Sequence, residues 1–188
     1  EEWVYDYSLA DSIPDGTGQD ESMDLLAAAV PVRVVEWYQK LIRIVGWKLS
    51  AMAPASSAIS NLIMSDREKQ DVRRSNCCVM DCGRQGVRLY FYQKGLLFAK
   101  RGLEFCDTEE RLLFELEKIW DYYQTCYPGY IPERVYVTGG KRNPLLEAAI
   151  TEQLEAECCD WTKLLDNSQE PVRGLISAEA AGITFWKG

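Results

Sequence analysis

The stretch from Cys77 to Arg101 limits the fold more than any other part of the chain, because it fits three strands into a short length. Cys77-Cys78-Val79-Met80-Asp81 is apolar without alternation, as in a strand covered on both faces. The turn Cys82-Gly83-Arg84-Gln85-Gly86 follows. Val87, Leu89 and Phe91 then alternate with Arg88, Tyr90 and Tyr92, the period of a half-buried strand. Gln93-Lys94-Gly95 turns the chain again, and Leu96 to Arg101 supplies the third strand. Connections this short join antiparallel neighbours.

Helices and strands alternate beyond it. Asp107-Thr108-Glu109-Glu110 has the form of a capping box, and Leu112, Leu116, Ile119 and Tyr123 mark one face of a long helix ending near Tyr127-Pro128-Gly129. Arg134 to Thr138 is a strand that runs into Gly139-Gly140. Asn143-Pro144 starts a helix carrying Leu146, Ile150 and Leu154, Glu157 to Trp161 forms a short strand, and Ser177 to Trp186 reads as a closely packed terminal helix. Upstream, the apolar run Asp24 to Val30 reads as a buried strand. A helix follows from Pro31, with Val34, Tyr38, Leu41 and Val45 on one face, and Gly46 stops it. Trp47 to Ala53 reads as another strand, and Pro54 opens a helix to about Met64. The expected organisation is β-α-β-α over residues 1–66, a mixed-charge linker, and β-β-β-α-β-α-β-α over 76–188.

The formal net charge of −8 disfavours a phosphate backbone as partner, and no basic stripe interleaved with aromatics offsets it. No apolar run approaches the roughly 20 residues that span a bilayer, so direct membrane insertion is not expected. The first residues, Glu1-Glu2-Trp3-Val4-Tyr5-Asp6, lack Met and the pattern of a signal peptide and read as the start of an excised fragment. The chain has 7 Cys and no His. Without His, the Ser/His/Asp and Cys/His nucleophilic systems are excluded. Two adjacent Cys pairs and an odd count do not make a disulfide framework, and the cysteines read as small buried hydrophobes. The aromatics, Trp37, Trp47, Trp120, Trp161 and Trp186 among them, fall mostly on expected core faces. Some should stay exposed if a groove receives a partner peptide.

Several segments resemble, in order and spacing, the PilM family of type IV pilus assembly proteins. Tyr5-Asp6-Tyr7 is similar to its FDY strand, Asp24 to Ala29 to its DVLLVAA strand, and Val34 to Tyr38 to its VVDEY helix. Val45 to Leu49 is similar to its GLKP turn. Val79-Met80-Asp81-Cys82-Gly83 resembles the second phosphate motif VDIG, Ile119 to Tyr123 the SLDFY helix, and Val135 to Gly140 the adenosine-loop motif IVLTGGG. Gly174 to Gly182 falls where the family has a small-residue helix. The family's first phosphate motif, IDIG, has no counterpart, and most of a long excursion between Arg101 and Asp107 is missing. Arg84 and Gln85 replace small and hydroxyl residues.

The resemblance implies an α/β fold of the actin-like or RNase H-like type, a mixed sheet with flanking helices, as one complete lobe and part of a second. In that fold glycine turns let backbone N–H groups approach a nucleotide, and an aspartate at a strand end holds magnesium. It therefore implies ATP with Mg²⁺ as the cofactor, Asp81, Gly83, Thr138, Gly139, Gly140 and Lys141 as cofactor-binding positions, and Asp81 as the metal position. Read from the residues alone, Asp81 is equally an Asx-turn residue, and Gly139-Gly140 equally a strand terminator. No residue presents itself as a base for an attacking water, so no catalytic residue is assigned. The implied function is a cytoplasmic scaffold, peripheral at the inner membrane, that binds the tail of a PilN-like membrane protein and other pilus components; a homo-oligomer is compatible with it. The alternatives are a nucleotide-binding ATPase or kinase of the actin, Hsp70 and sugar-kinase superfamily, and the cytoplasmic domain of the type II secretion L protein. All of these require the turns after Met80 and after Val137 to lie side by side.

Overall fold

A computed structural model describes residues 1–9, 25–65, 76–104, 108–127, 129–141 and 144–164. The chain divides into two compact units, one of residues Glu1–Pro54 and one of Ala55–Lys187.

In the first unit, strand β1 (Trp3–Leu9) pairs antiparallel with β2 (Leu25–Pro31), from Trp3 opposite Pro31 to Leu9 opposite Leu25. Helix α1 (Val32–Ile44) follows with Pro31 as its N-cap, and the Val32 N–H donates to the Glu2 carbonyl at 3.0 Å. The helix stops where the sequence places its end. Gly46 takes a φ of +75°, its N–H donates to the Arg43 carbonyl, and the Trp47 N–H donates to the Ile42 carbonyl. That pair of bonds is a Schellman motif, which a left-handed glycine makes without Cβ strain. No residue of α1 is fully buried.

The expected strand over Trp47–Ala53 does not form. Leu49 and Ala51 are half-buried while Ser50 and Met52 are exposed, so the alternation is present, but among the described residues β2 pairs only with β1. Alternating side chains report an extended backbone and leave open whether a ladder partner exists. Among its described residues the first unit therefore holds a hairpin and a helix, in place of the expected β-α-β-α.

The second unit opens with α2 (Ala55–Ser65), in contrast to the expected placement of this helix in the first segment. Strands β3 (Asn76–Cys82), β4 (Gly86–Gln93) and β5 (Leu96–Glu104) form the expected antiparallel meander. Helix α3 (Glu109–Cys126), strand β6 (Arg134–Thr138), helix α4 (Pro144–Gln153) and strand β7 (Glu157–Asp160) follow, and a 3₁₀ turn over Trp161–Leu164 ends the described chain. The sheet order is β5-β4-β3-β6-β7, with β3–β6 and β6–β7 parallel. The expected terminal helix over Ser177–Trp186 lies outside the described residues.

Both faces of this sheet are covered. Cys78, Met80, Val87, Leu89 and Phe91 point to one side, under Leu116, Trp120 and Tyr123 of α3 and Leu146 and Ile150 of α4. Cys77, Val79, Tyr90 and Tyr92 point to the other, under Ile59, Leu62 and Ile63 of α2. Burial on both faces is why β3 reads as an unbroken apolar run. Phe91 anchors the first layer, with its ring centre 4.4 Å from that of Tyr123 and 6.0 Å from that of Trp120. The Tyr130 hydroxyl donates to the Cys77 carbonyl at 3.0 Å, which pins the segment after α3 to β3. Among the described residues the cysteines are free thiols, and Cys77, Cys78, Cys82 and Cys159 are buried. Burial drives the Cys77 thiol up to about 12. The cap of α3 is Thr108, whose hydroxyl accepts from the Arg111 N–H. An arginine therefore occupies the third helical position, and the reciprocal half of the expected capping box is missing.

Candidate functional site: the paired turns of β3 and β6

Strands β3 and β6 are parallel neighbours, so their C-terminal ends lie at one edge of the sheet. The register sets Asp81 opposite Thr138, the last residues before the two glycine turns. Ligands of open α/β sheets bind at this kind of edge. The turns touch: the Lys141 N–H donates to the Cys82 carbonyl at 3.1 Å. A Cβ built on Gly139, whose φ is +96°, would fall 2.4 Å from that same carbonyl oxygen and 2.8 Å from a carboxylate oxygen of Asp81. Only glycine fits there.

The structure thus brings Asp81, Gly83, Thr138, Gly139, Gly140 and Lys141 to one place. Asp81 and Thr138 are buried, and Gly140 and Lys141 are exposed. Arg142 and Asn143 lie outside the described residues, and α4 begins just after them at Pro144. Sequence reasoning missed Arg88. It stands opposite Asp81 in the β3–β4 register, and its guanidinium meets the carboxylate at 2.5 Å. Alternation had placed it among the outward residues of β4. The signal was the hairpin itself: a turn closed by Cys82 and Val87 puts residues 81 and 88 face to face.

These residues do not fit a magnesium–phosphate group. The carboxylate that would hold the ion is paired with Arg88. The Gly83 N–H donates to the Gly86 carbonyl at 3.0 Å, inside the hairpin. The Cys82 carbonyl, pressed against Gly139, is an acceptor rather than a donor, and it already accepts from Lys141. Among the described residues no group of three or more Cys, Asp or Glu could hold a metal.

A separate hollow of about 290 Å³ lies between β5 and the end of α3, lined in part by Phe98, Arg101, Tyr122 and Tyr127. The Arg101 guanidinium sits 5.9 Å and 5.8 Å from the ring centres of Tyr122 and Tyr123. On the opposite edge strand, Glu157 accepts from Arg134 at 3.2 Å, from Lys163 at 3.3 Å and from the Cys159 thiol at 3.2 Å. The thiol contact and the two cations hold the Glu157 carboxyl below its ordinary range.

A mixed five-stranded sheet in the order β5-β4-β3-β6-β7, helices on both faces and adjoining glycine turns define an actin-like fold. Solved structures share it. A chain of the PilM–PilN type IV pilus biogenesis complex superposes with a TM-score of 0.70 at 14% identity, covering 97% of this chain and 65% of that one. A Bacteroides thetaiotaomicron protein with an actin-like ATPase fold and unknown function gives 0.51 at 11% identity, covering 85% of this chain and 54% of the other. The ethanolamine utilization protein EutJ from Carboxydothermus hydrogenoformans gives 0.51 at 15% identity, covering 83% and 62%. The chain therefore spans less than two thirds of each of these neighbours. No protein-family model matches it, and no curated protein matches it in sequence.

Proposed function

We propose that this chain is a scaffold module of type IV pilus assembly, working at the cytoplasmic face of the inner membrane. There it takes the short cytoplasmic tail of a PilN-like membrane protein. The observation that carries the proposal is the outward aromatic surface of the first unit. Tyr5, Tyr7 and Trp47 are each 72% exposed and Trp37 is 58% exposed. Rigid aromatic side chains left in water are the usual anchors of a protein interface. The likeness to a chain of the PilM–PilN complex supports the same reading. No helix among the described residues is long and apolar enough to cross a membrane.

The test is calorimetric titration of the intact chain with a synthetic peptide. The peptide copies the cytoplasmic segment of a PilN-like bitopic membrane protein from the same organism. Saturable binding is expected, weakened about tenfold, or roughly 1.4 kcal/mol, by Trp37→Ala. No binding, or binding indifferent to the exposed aromatics of the first unit, sinks the proposal. ATP turnover by the intact chain would point instead to a nucleotide-binding ATPase, a reading that the pairing of Asp81 with Arg88 and the contact between the two turns disfavour.

A further inference from the structure

We infer that the turn pair is a closed clasp, in which Arg88 stands where a magnesium-bound nucleotide would engage Asp81. This does not rest on the scaffold reading, since a closed turn pair is compatible with any partner.

The ion pair follows from backbone register. Asp81 and Arg88 face each other across an antiparallel ladder that runs unbroken from Asn76 opposite Gln93 to Cys82 opposite Val87. Wherever that ladder forms, an arginine is delivered to the carboxylate. The Asp81 side chain is 4% exposed and that of Arg88 46%. A carboxylate this buried cannot take up a hydrated cation from solvent while its own guanidinium is in place. Losing the guanidinium would leave a buried charge unpaired.

The backbone closes the other route. A phosphate is held by several convergent N–H donors, and here two of them are already used. The Gly83 N–H is bonded within its own hairpin, and the Lys141 N–H is bonded to the Cys82 carbonyl on the facing turn. The second of these crosses from β6 to β3 and ties the two turns together. Gly139 is pressed so close to Cys82 that no atom fits between them. What serves related folds as a ligand cradle serves here as the fastening between the meander and the parallel half of the sheet.

Thermal melts of the intact chain test this with four proteins: the parent, Asp81→Asn, Arg88→Gln and the double variant, each with and without millimolar Mg·ATP. Arg88→Gln is expected to lower the Tm by about 5 °C, on the scale of a few degrees per kcal/mol for a chain of this size. The double variant is expected to regain most of that loss, because no buried charge is then left alone. Mg·ATP is expected to leave the parent Tm unchanged, since a ligand that binds only the folded state must raise it. Additive losses in the double variant overturn the ion-pair claim. A magnesium-dependent rise in the parent Tm of more than about 3 °C, absent in Asp81→Asn, overturns the whole inference. The parent measurement decides the nucleotide question even if Arg88→Gln fails to fold.

Discussion

Trp37 and Trp120 carry the same indole on helices of the same kind, one in each unit, and they meet opposite surroundings. Trp120 on α3 is 4% exposed and packs edge-on against Phe91. Trp37 on α1 is 58% exposed, and its nearest ring is that of its own neighbour Tyr38. Helical amphipathicity does not account for the difference, since α1 has a regular apolar face in Val34, Tyr38, Leu41 and Val45. Tyr38, Leu41 and Val45 are nevertheless exposed. The sheets differ. Five strands give the helices of the second unit a broad floor on each face, whereas two strands are too narrow to cover a helix. An apolar stripe is a demand for a surface, and the rest of the fold either supplies it or leaves it for a partner.

The largest expected effect tests that contrast directly. Phe91→Ala opens the aromatic layer shared with Trp120 and Tyr123, and should cost about 4 kcal/mol of unfolding free energy in urea. Trp37→Ala should change it by less than about 0.5 kcal/mol, as exposed positions do. Hydrogen exchange read by unit would sharpen the comparison, with β3 and β6 protected far beyond β1 and β2. Equal losses from the two substitutions would mean that the first unit's aromatics are structural after all.

Gly139→Ala should come next, at roughly 3 kcal/mol, because it combines a left-handed φ with a clash against backbone at Cys82. The loss should appear as a lower urea midpoint, with exchange accelerated at the ends of β3 and β6. A Gly139→Ala protein as stable as the parent would show that the turns are free to separate.

The smallest effect concerns acid. The Glu157 carboxyl is held below its ordinary range by Cys159, Arg134 and Lys163. A lowered carboxyl binds its proton more weakly folded than unfolded. Its contribution is therefore complete above the ordinary carboxylate range and fades as the pH falls through the lowered value. Glu157→Gln should be slightly less stable than the parent at neutral pH and indistinguishable from it in strong acid. The check is a series of melts across that range. A gap that widened on acidification would reverse the sign and rule the ion pairs out as its source.

Local signals carried most of what the sequence revealed. The meander from Cys77 and the stop at Gly46 follow from short-range chemistry, namely tight turns, apolar runs and residues able to turn left-handed, whereas the meeting of the two glycine turns is legible only through the family resemblance. Pairing between distant segments did not. Trp47–Ala53 has the alternation of a strand without a neighbour to bond, and α2 belongs to the unit that follows it because Ile59, Leu62 and Ile63 cover Cys77 and Val79. The Asp81–Arg88 pair lies between. Its register was within reach of the hairpin count, but alternation alone describes which face a side chain takes and not whom it meets across the strand.

The parallel join of β3 to β6 has a consequence for a chain made from its N-terminus. The meander is complete once Glu104 has emerged, yet one flank of β3 stays open until Arg134–Thr138 arrives after the whole of α3. Throughout that interval one edge of an apolar strand is available to any other nascent copy. Slow translation across α3 should therefore favour clumping, and faster passage to Thr138 should relieve it.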